Sequence, residues 1–372
     1  MKKKWLVTLL VGLIATACGR APETPASPAG AATRGLRPGF ELSVYAEGLG
    51  GARFMAFGPD GTLYVGSTSR AGTVWALPDR DHDGKADEVK VFADGLRSPH
   101  SVAWHESGLY IGETHRVIRL RDTDGDLQSD EQAVVVADLP SGGQHFTRTV
   151  GFGPDGGLYV SVGSSCNVCK EDDPRRAAIL RFNADGGGRG IYARGLRNAV
   201  GFTWHPPTKE MWATDNGRDW LGDDLPPEEL DLIRAGDDYG WPYCYGNRIP
   251  DPDLGSAERC ARTQPATFEM QAHSAPLGLA FYTGAQFPAE YRGDLFIAFH
   301  GSWNRSVPTG YKVVRVRFRD GHPVGIEDFV NVWLEGGRVT HRPVDVKTGP
   351  DGALYISDDR GGTIFRLTYR RP

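Results

Sequence analysis

The sequence predicts an all-β fold, a six-bladed β-propeller with a long loop insertion on one face. Two observations carry that prediction. A strand–turn–strand unit built on a Pro/Asp/Gly turn returns six times along the chain, and a further short strand follows most copies. The 372 residues also include 49 Gly and 25 Pro, which suits many short strands joined by tight turns. A chain of this length exceeds one simple core, so the alternatives are two domains or one large closed repeat. The net charge of -5 is spread along the chain and lacks the basic stripe of a nucleic-acid surface, so no nucleic-acid partner is expected.

The first residues read as a targeting segment. Lys2 to Lys4 supply a positive end, and Trp5 to Ile14 form an apolar run too short to span a bilayer. Ala15-Thr-Ala-Cys18 resembles a bacterial lipobox, with plain signal cleavage as the alternative. The expected organisation is a lipoprotein-type signal peptide over 1–17, a disordered Pro/Ala/Ser/Gly tether over 18–35, and the propeller over 36–372. Lipidation at Cys18 would hold the protein to the bacterial cell envelope, facing the periplasm or cell surface, with the anchor as its one membrane contact.

The repeat sets the blades in order. "FMAFGPDGTLYVGST" begins at Phe54, "SVAWHESGLYIGET" at Ser101 and "TVGFGPDGGLYVSVGS" at Thr149. "GFTWHPPTKEMWATDN" follows from Gly201, a looser copy starts at Gly278, and "DVKTGPDGALYISDD" starts at Asp345. Each is an apolar strand, a turn and an alternating strand, hence a hairpin. A β-sandwich is the competing fold, but it rarely repeats one turn sequence so faithfully. Phe40 to Ala46, "FELSVYA", has no hairpin of its own and is expected to be the outer strand of the last blade, closing the ring. The long interval between the fourth and fifth copies predicts that residues 217 to 275 loop out onto one face.

Export permits disulfides. Cys244 and Cys260 are expected to pair across a loop, and Cys166-x-x-Cys169 to form a small structural disulfide. No His follows that CxxC, which excludes covalent haem; a redox-active motif would want a thioredoxin pattern, and zinc a second CxxC.

Asp-rich turns at 79–87 and 122–130 place carboxylates at alternate positions around Gly, as a Ca²⁺ loop would, although Asp-Gly turns between outer strands account for both equally well. His145 sits in a loop before the third copy, and Arg197 with Asn198 at the matching place before the fourth. A base, a fixed cation and an amide brought to one mouth would suit alcohol oxidation or ester hydrolysis. The loop that follows, to Tyr245, is long, polar and rich in Trp, Asp and Gly, a composition that rarely serves only to connect.

"GLRN" at 195–198, followed by the "TDNG…DDLPPEELDLI…G…YGWP" run, resembles the soluble quinoprotein glucose dehydrogenase and aldose or sorbosone dehydrogenase family, most closely its sorbosone dehydrogenase-like branch. The likeness runs from about 38 to 370. These are six-bladed propellers that use pyrroloquinoline quinone (PQQ) and Ca²⁺. The resemblance implies oxidation of a sugar or sugar-derived alcohol or aldehyde, with electrons passed to a quinone or a small redox protein. It implies His145 as general base and Arg197 as the cation stabilising the developing charge. Asn198, His100, Lys312 and Arg342 are then cofactor contacts, Arg342 pairing with a carboxylate of PQQ. The carbonyls of Gly217 and Arg218 would hold Ca²⁺ beside it, and Glu229 with Tyr239 a second Ca²⁺. Two departures bear on this. Ser164 stands where glucose dehydrogenases place an Asp behind the histidine, and Arg218 replaces a proline and brings a guanidinium that opposes a cation. A non-redox calcium propeller, either lactonase-like or a surface binding module, is the competing reading.

Overall fold

Six four-stranded antiparallel sheets make up the body of the computed structural model, which describes residues 35–106 and 108–370. The expected signal peptide, Cys18 and almost all of the tether lie outside the described residues. Within five of the sheets the strand order follows the chain, and the sixth takes its outer strand from the first described strand. The innermost strands are Ala52–Phe57, Ser101–His105, Arg148–Phe152, Phe202–Trp204, Pro276–Phe281 and Pro343–Thr348. All six begin within two residues of the predicted hairpin starts. The blades form a six-bladed propeller, as the repeat predicted.

The repeated turn closes by one device. In the first, third and sixth blades the turn aspartate accepts a backbone N–H two residues on: Asp60 from Thr62, Asp155 from Gly157 and Asp351 from Ala353. The glycine preceding the Pro-Asp pair pairs across the same turn, and the one following it takes a positive φ, which glycine adopts without strain. The second strands, among them Leu63–Ser67, Leu158–Val162 and Leu354–Asp358, are buried along their whole length. A neighbouring blade covers each face, so these strands need continuous apolar runs rather than alternation.

Ring closure falls where the sequence placed it. Phe40–Ala46 pairs antiparallel with Thr363–Tyr369 and completes the last blade. Phe40 anchors the closure, its ring 4.9 to 5.3 Å from those of Phe287, Tyr291, Phe329 and Tyr369. At the axis, Phe54, Val200, Leu277 and Val344 cluster where four innermost strands begin. This apolar plug is the floor of the mouth above it.

The insertion needs one correction. Residues 217–275 do not all loop out, because Glu228–Ile233 and Phe268–Met270 are the third and fourth strands of the fourth blade. Two excursions remain. Residues 216–227 join the second and third strands at the mouth. Residues 234–267 run beside the preceding blade, where Asp238 bridges Arg194, and reach the mouth through the Asp251–Arg218 ion pair. The long excursion is stapled by the Cys244–Cys260 disulfide, and Cys166–Cys169 is also bonded. The Asp-rich turns occupy the same place in two consecutive blades, between the third and fourth strands. Their carboxylates accept N–H groups within each loop, Asp79 from Gly84 and Asp122 from Gly125 and Leu127, and each loop also gathers three carboxylates within reach of one cation.

Truncating Phe40 to Ala removes the centre of the closure cluster. The expected cost is about 3–5 kcal/mol, the usual range for a buried Phe, read as a lower denaturant midpoint.

Candidate functional site

The loops entering the innermost strands all open on one face, and the chain places its predicted site residues in those loops. His100 immediately precedes Ser101–His105, His145 precedes Arg148–Phe152, Arg197 and Asn198 precede Phe202–Trp204, and Arg342 immediately precedes Pro343–Thr348. Antiparallel pairing brings the ends of the second strands to the same face. Carboxylates there fix three of the loops. Glu113 accepts the backbone N–H of Arg97, Asp215 those of Arg197 and Asn198, and Asp358 that of Arg342. Burial pushes the Asp215 carboxyl up to about 7, against the two N–H donors and Arg197 that favour its charge.

His145 and Asn198 meet at Gly163. A Cβ at that glycine would lie 2.6 Å from both Asn198 Oδ1 and the His145 Cβ, so only glycine lets the two approach. His145 Nδ1 lies 3.0 Å from the Ser164 carbonyl oxygen and 2.9 Å from Ser164 Oγ. The Ser164 hydroxyl donates its proton to the Cys166 carbonyl at 2.7 Å. Both neighbours of Nδ1 therefore act as acceptors, which assigns the proton to Nδ1 and leaves Nε2 with a free lone pair. Burial, then Arg197, lowers the imidazole pKa to about 3, opposed by the Ser164 carbonyl. The ring is neutral, with its lone pair at Nε2.

Arg197 is 4% exposed. Its guanidinium donates to the Asn167 carbonyl and side chain at 2.9 and 2.8 Å, and meets Asp219 Oδ2 at 3.1 Å. Asn167 also holds Asp219 through both the backbone N–H and the carbonyl. Because Asn167 lies inside the Cys166–Cys169 ring, the disulfide loop that serves His145 through Ser164 also serves Arg197.

Across the mouth a second network joins the predicted His100 to three residues the sequence did not single out, Arg53, His300 and Asp359. His300 Nε2 donates to Asp359 at 2.9 Å, Arg53 Nη1 donates to Asp359 at 2.8 Å, and Arg53 Nε donates to His100 Nδ1 at 3.1 Å. Burial raises Asp359, but His300 and Arg53 outweigh it and hold the carboxyl below its ordinary range. Burial lowers His300 to about 4 despite Asp359. His100 is wholly buried, its Nε2 has no partner among the described residues, and burial followed by Arg53 pushes it well below the ordinary histidine value. Repeat register was the available signal: Arg53 and Asp359 lie at the mouth ends of predicted hairpins.

Arg342 donates to the carbonyls of His300 and Gly301 at 3.2 and 2.8 Å, and its guanidinium stands 5.7 Å from the Tyr311 ring. Among the described residues no carboxylate pairs with it. Lys312 is placed otherwise than its neighbours in the prediction: its ammonium is engaged 2.6 Å from Asp328 on the outermost strand of its blade.

Gly217, Arg218, Glu229 and Tyr239, predicted as two separate cation sites, line one small hollow together with Arg197, Asp215 and Asp251. Its volume of about 20 Å³ suffices for one water-sized occupant. The Arg218 guanidinium does not stand unopposed there, since it pairs with Asp251 and Asp253 at 2.7 and 2.8 Å. Burial, then Asp231 and Asp215, raises Glu229 well above the ordinary glutamate range. Tyr239 sends its hydroxyl to the Leu232 carbonyl, so its side chain is committed to packing. A larger hollow of about 670 Å³ lies among the hairpin turns of the opposite face, with Asp351 as its one titratable side chain.

Residues 35–370 match the family model described as TrAA12-like. An uncharacterized protein of Borreliella burgdorferi is 31% identical over 328 residues, covering 84% of this chain and 84% of that one. An aldose sugar dehydrogenase of Escherichia coli is 27% identical over 252 residues, covering 62% of each chain. Among solved structures, the holo form of the pyranose dehydrogenase PQQ domain from Coprinopsis cinerea superposes with a TM-score of 0.76 at 22% identity, over 90% of this chain and 96% of that one. At that identity the likeness is one of fold.

With a folded pKa near 3 against an unfolded value of about 6.5, His145 stays neutral as pH falls through 5. The stability it contributes is present above about pH 6.5 and is lost as pH falls toward the folded value. Ring-nitrogen NMR is expected to show Nδ1–H and a bare Nε2 from pH 8 to 5, and a midpoint near 6.5 would contradict the geometry.

Proposed function

The chain belongs to the TrAA12-like family, and from that premise we propose that it is an oxidoreductase acting on a sugar or a sugar-derived alcohol or aldehyde, with PQQ as cofactor. Relatives named aldose sugar dehydrogenase and PQQ-dependent pyranose dehydrogenase support the reaction class. The observation that carries the cofactor reading is Arg342, a half-buried cation at the mouth with carbonyl and aromatic partners only. PQQ is a flat tricarboxylate, and a guanidinium without a carboxylate of its own suits one of its carboxylates. The unpartnered Nε2 of buried His100 offers a further donor. The residues fit the group.

Bound PQQ supplies the quinone that accepts a hydride from the substrate carbon. His145 would receive the substrate hydroxyl proton at Nε2 as the hydride leaves, and its Nδ1–H stays on Ser164 throughout. Arg197 presents fixed positive charge where negative charge grows, and needs no reorganisation because Asn167 and Asp219 already hold it. Asn198 stands against His145 and orients the edge of the guest. Lys312 has no part in this scheme.

Calcium belongs to the proposal through the hollow at Gly217, Arg218, Glu229 and Tyr239. Carboxyl and carbonyl oxygens are the ligands a hard cation takes, and buried acids whose ionisation is disfavoured gain most from one. A lactonase-type calcium centre at the axis is less well supported. The mouth carboxylates Asp215 and Asp358 are taken by backbone N–H groups, and Asp359 by His300 and Arg53. The proposal extends to place: the Ala15-Thr-Ala-Cys18 sequence argues for a lipid-anchored envelope protein that delivers electrons to a quinone or a small redox protein.

Adding PQQ and Ca²⁺ to the purified protein is expected to give a stoichiometric quinone absorbance change, and a sugar panel then reveals the substrate. R342A is expected to weaken PQQ by about tenfold or more, the loss of one charge-assisted pair. H145A is expected to retain PQQ while turnover falls about 10²- to 10⁴-fold. No PQQ binding by the parent protein would overturn the reading.

Calcium has its own test. Thermal unfolding with and without Ca²⁺ is expected to show a higher Tm with the ion, and E229Q to lose that increment while keeping the Tm measured in chelator.

A further inference from the structure

Most tryptophans of the described chain are buried or half-buried; Trp75, Trp212 and Trp333 are between 0 and 7% exposed. Trp220 and Trp303 are 68% and 65% exposed. They come from different blades, yet their rings meet at 5.1 Å and 88°, an L-shaped corner. Large exposed aromatic surface held in a fixed shape marks a binding surface rather than a packing residue.

The corner is built. Trp220 lies in the 216–227 excursion and Trp303 in the loop after Leu295–Phe299. Asn304 donates to Asp219 Oδ1 at 2.8 Å, Arg305 to the Asp223 carbonyl at 2.7 Å and to Asp224 at 3.2 Å, and the Ser306 N–H to Asp223 at 3.0 Å. These bonds stitch the two loops together on both sides of Trp220 and directly after Trp303. The same Asp219 that receives Asn304 holds Arg197 through its other oxygen. The corner is therefore registered to the candidate reaction centre through one carboxylate. It is also displaced outward from it: Arg197 is almost sealed while its near neighbour Trp220 stands open. A ligand touching both would run from the sealed interior of the mouth to its open rim.

Resting on the PQQ–sugar reading, we infer that Trp220 and Trp303 form a platform for a second sugar ring, so that the substrate class is an oligosaccharide or glycoside with its reacting ring in the mouth. Sugar rings present flat C–H faces that stack on indole and hydroxyls that need polar partners at the edge. The Asp224 side chain, 89% exposed beside the corner, supplies acceptors for hydroxyls and repels anionic partners, which argues against an acidic lipid surface as the occupant.

The test is binding to the metal-free, PQQ-free full chain, by tryptophan fluorescence and calorimetry, with glucose, galactose and mannose compared with their trisaccharides. At least one trisaccharide is expected to bind about tenfold tighter than its monosaccharide, and W220A or W303A to bring that ratio to about one, with W303F retaining part of it. On the PQQ-loaded enzyme, the same variants are expected to collapse the trisaccharide-to-monosaccharide ratio of kcat/KM. Equal binding of mono- and trisaccharides, or an unchanged ratio in both variants, overturns the inference. Unchanged sugar preference with slower reduction of a protein electron acceptor would reassign the corner to that acceptor. Trisaccharide binding without PQQ-dependent turnover would leave the platform standing and sink the redox reading instead.

Discussion

Closure of the ring is the constraint everything else rests on. An innermost strand has a partner on each side only when six sheets meet around an axis, and the sixth sheet is complete only because Phe40–Ala46, the first described strand, pairs with Thr363–Tyr369, the last. Without that pairing the last blade keeps an unpaired edge, which is open to non-native pairing. The mouth is a product of the same closure. Its residues come from 53 to 359 in the chain, and the ring alone brings them together.

The second constraint is chemical. Buried carboxylates at the ends of second strands cost desolvation, and Asp215 shows it in its raised pKa. Each offsets that cost by accepting N–H groups of a loop that would otherwise be free to move. Asp215 holds the peptide units of both Arg197 and Asn198, and Asp358 those of Arg342, Arg360 and Gly361. Side chains on loops thereby gain the rigidity of strands, which a preorganised site requires. The Cys166–Cys169 loop extends the principle, since Ser164 and Asn167 set His145 and Arg197 from one short segment.

Much of this was legible because repetition is a global signal. A hairpin that returns six times places blades, turns and mouth together, and the closing strand followed from one segment left without a hairpin. The insertion was overdrawn because "EELDLI" carries no turn of the repeat, so a buried strand with Glu228, Glu229 and Asp231 in it read as loop. Charged residues in a fully buried strand defeat pattern reading. The acidic hollow that Glu229 lines, with Arg218 neutralised by Asp251, depends on partners some 30 residues away that spacing does not reveal. His300, Asp359 and Arg53 escaped notice for a related reason. Their meaning lies in a chain of hydrogen bonds between first, fifth and sixth blades, and no local motif encodes it. Lys312 shows a related limit: spacing does not reveal that its ammonium is engaged by Asp328 on its own sheet.

Ser164 illustrates what replacing a carboxylate does in the proposed reaction. An aspartate behind a histidine performs two tasks, fixing the tautomer and stabilising the imidazolium. Ser164 performs the first as well, because its carbonyl and a hydroxyl committed to Cys166 can only accept from Nδ1. It cannot perform the second, and Arg197 nearby makes imidazolium costlier still. His145 is accordingly a base that is always available and intrinsically weak. A weak base supplies little driving force for the proton transfer, so the rate comes to depend on whatever stabilises the negative charge that grows in the transition state. The burden shifts from the histidine to Arg197, whose Nη2 is shared by Asn167 and Asp219 and whose Nε is spent on Asn167. In the proposed reaction the serine behind the base and the firmly held cation beside it thus belong together: what Ser164 cannot supply to His145, Arg197 supplies to the developing charge.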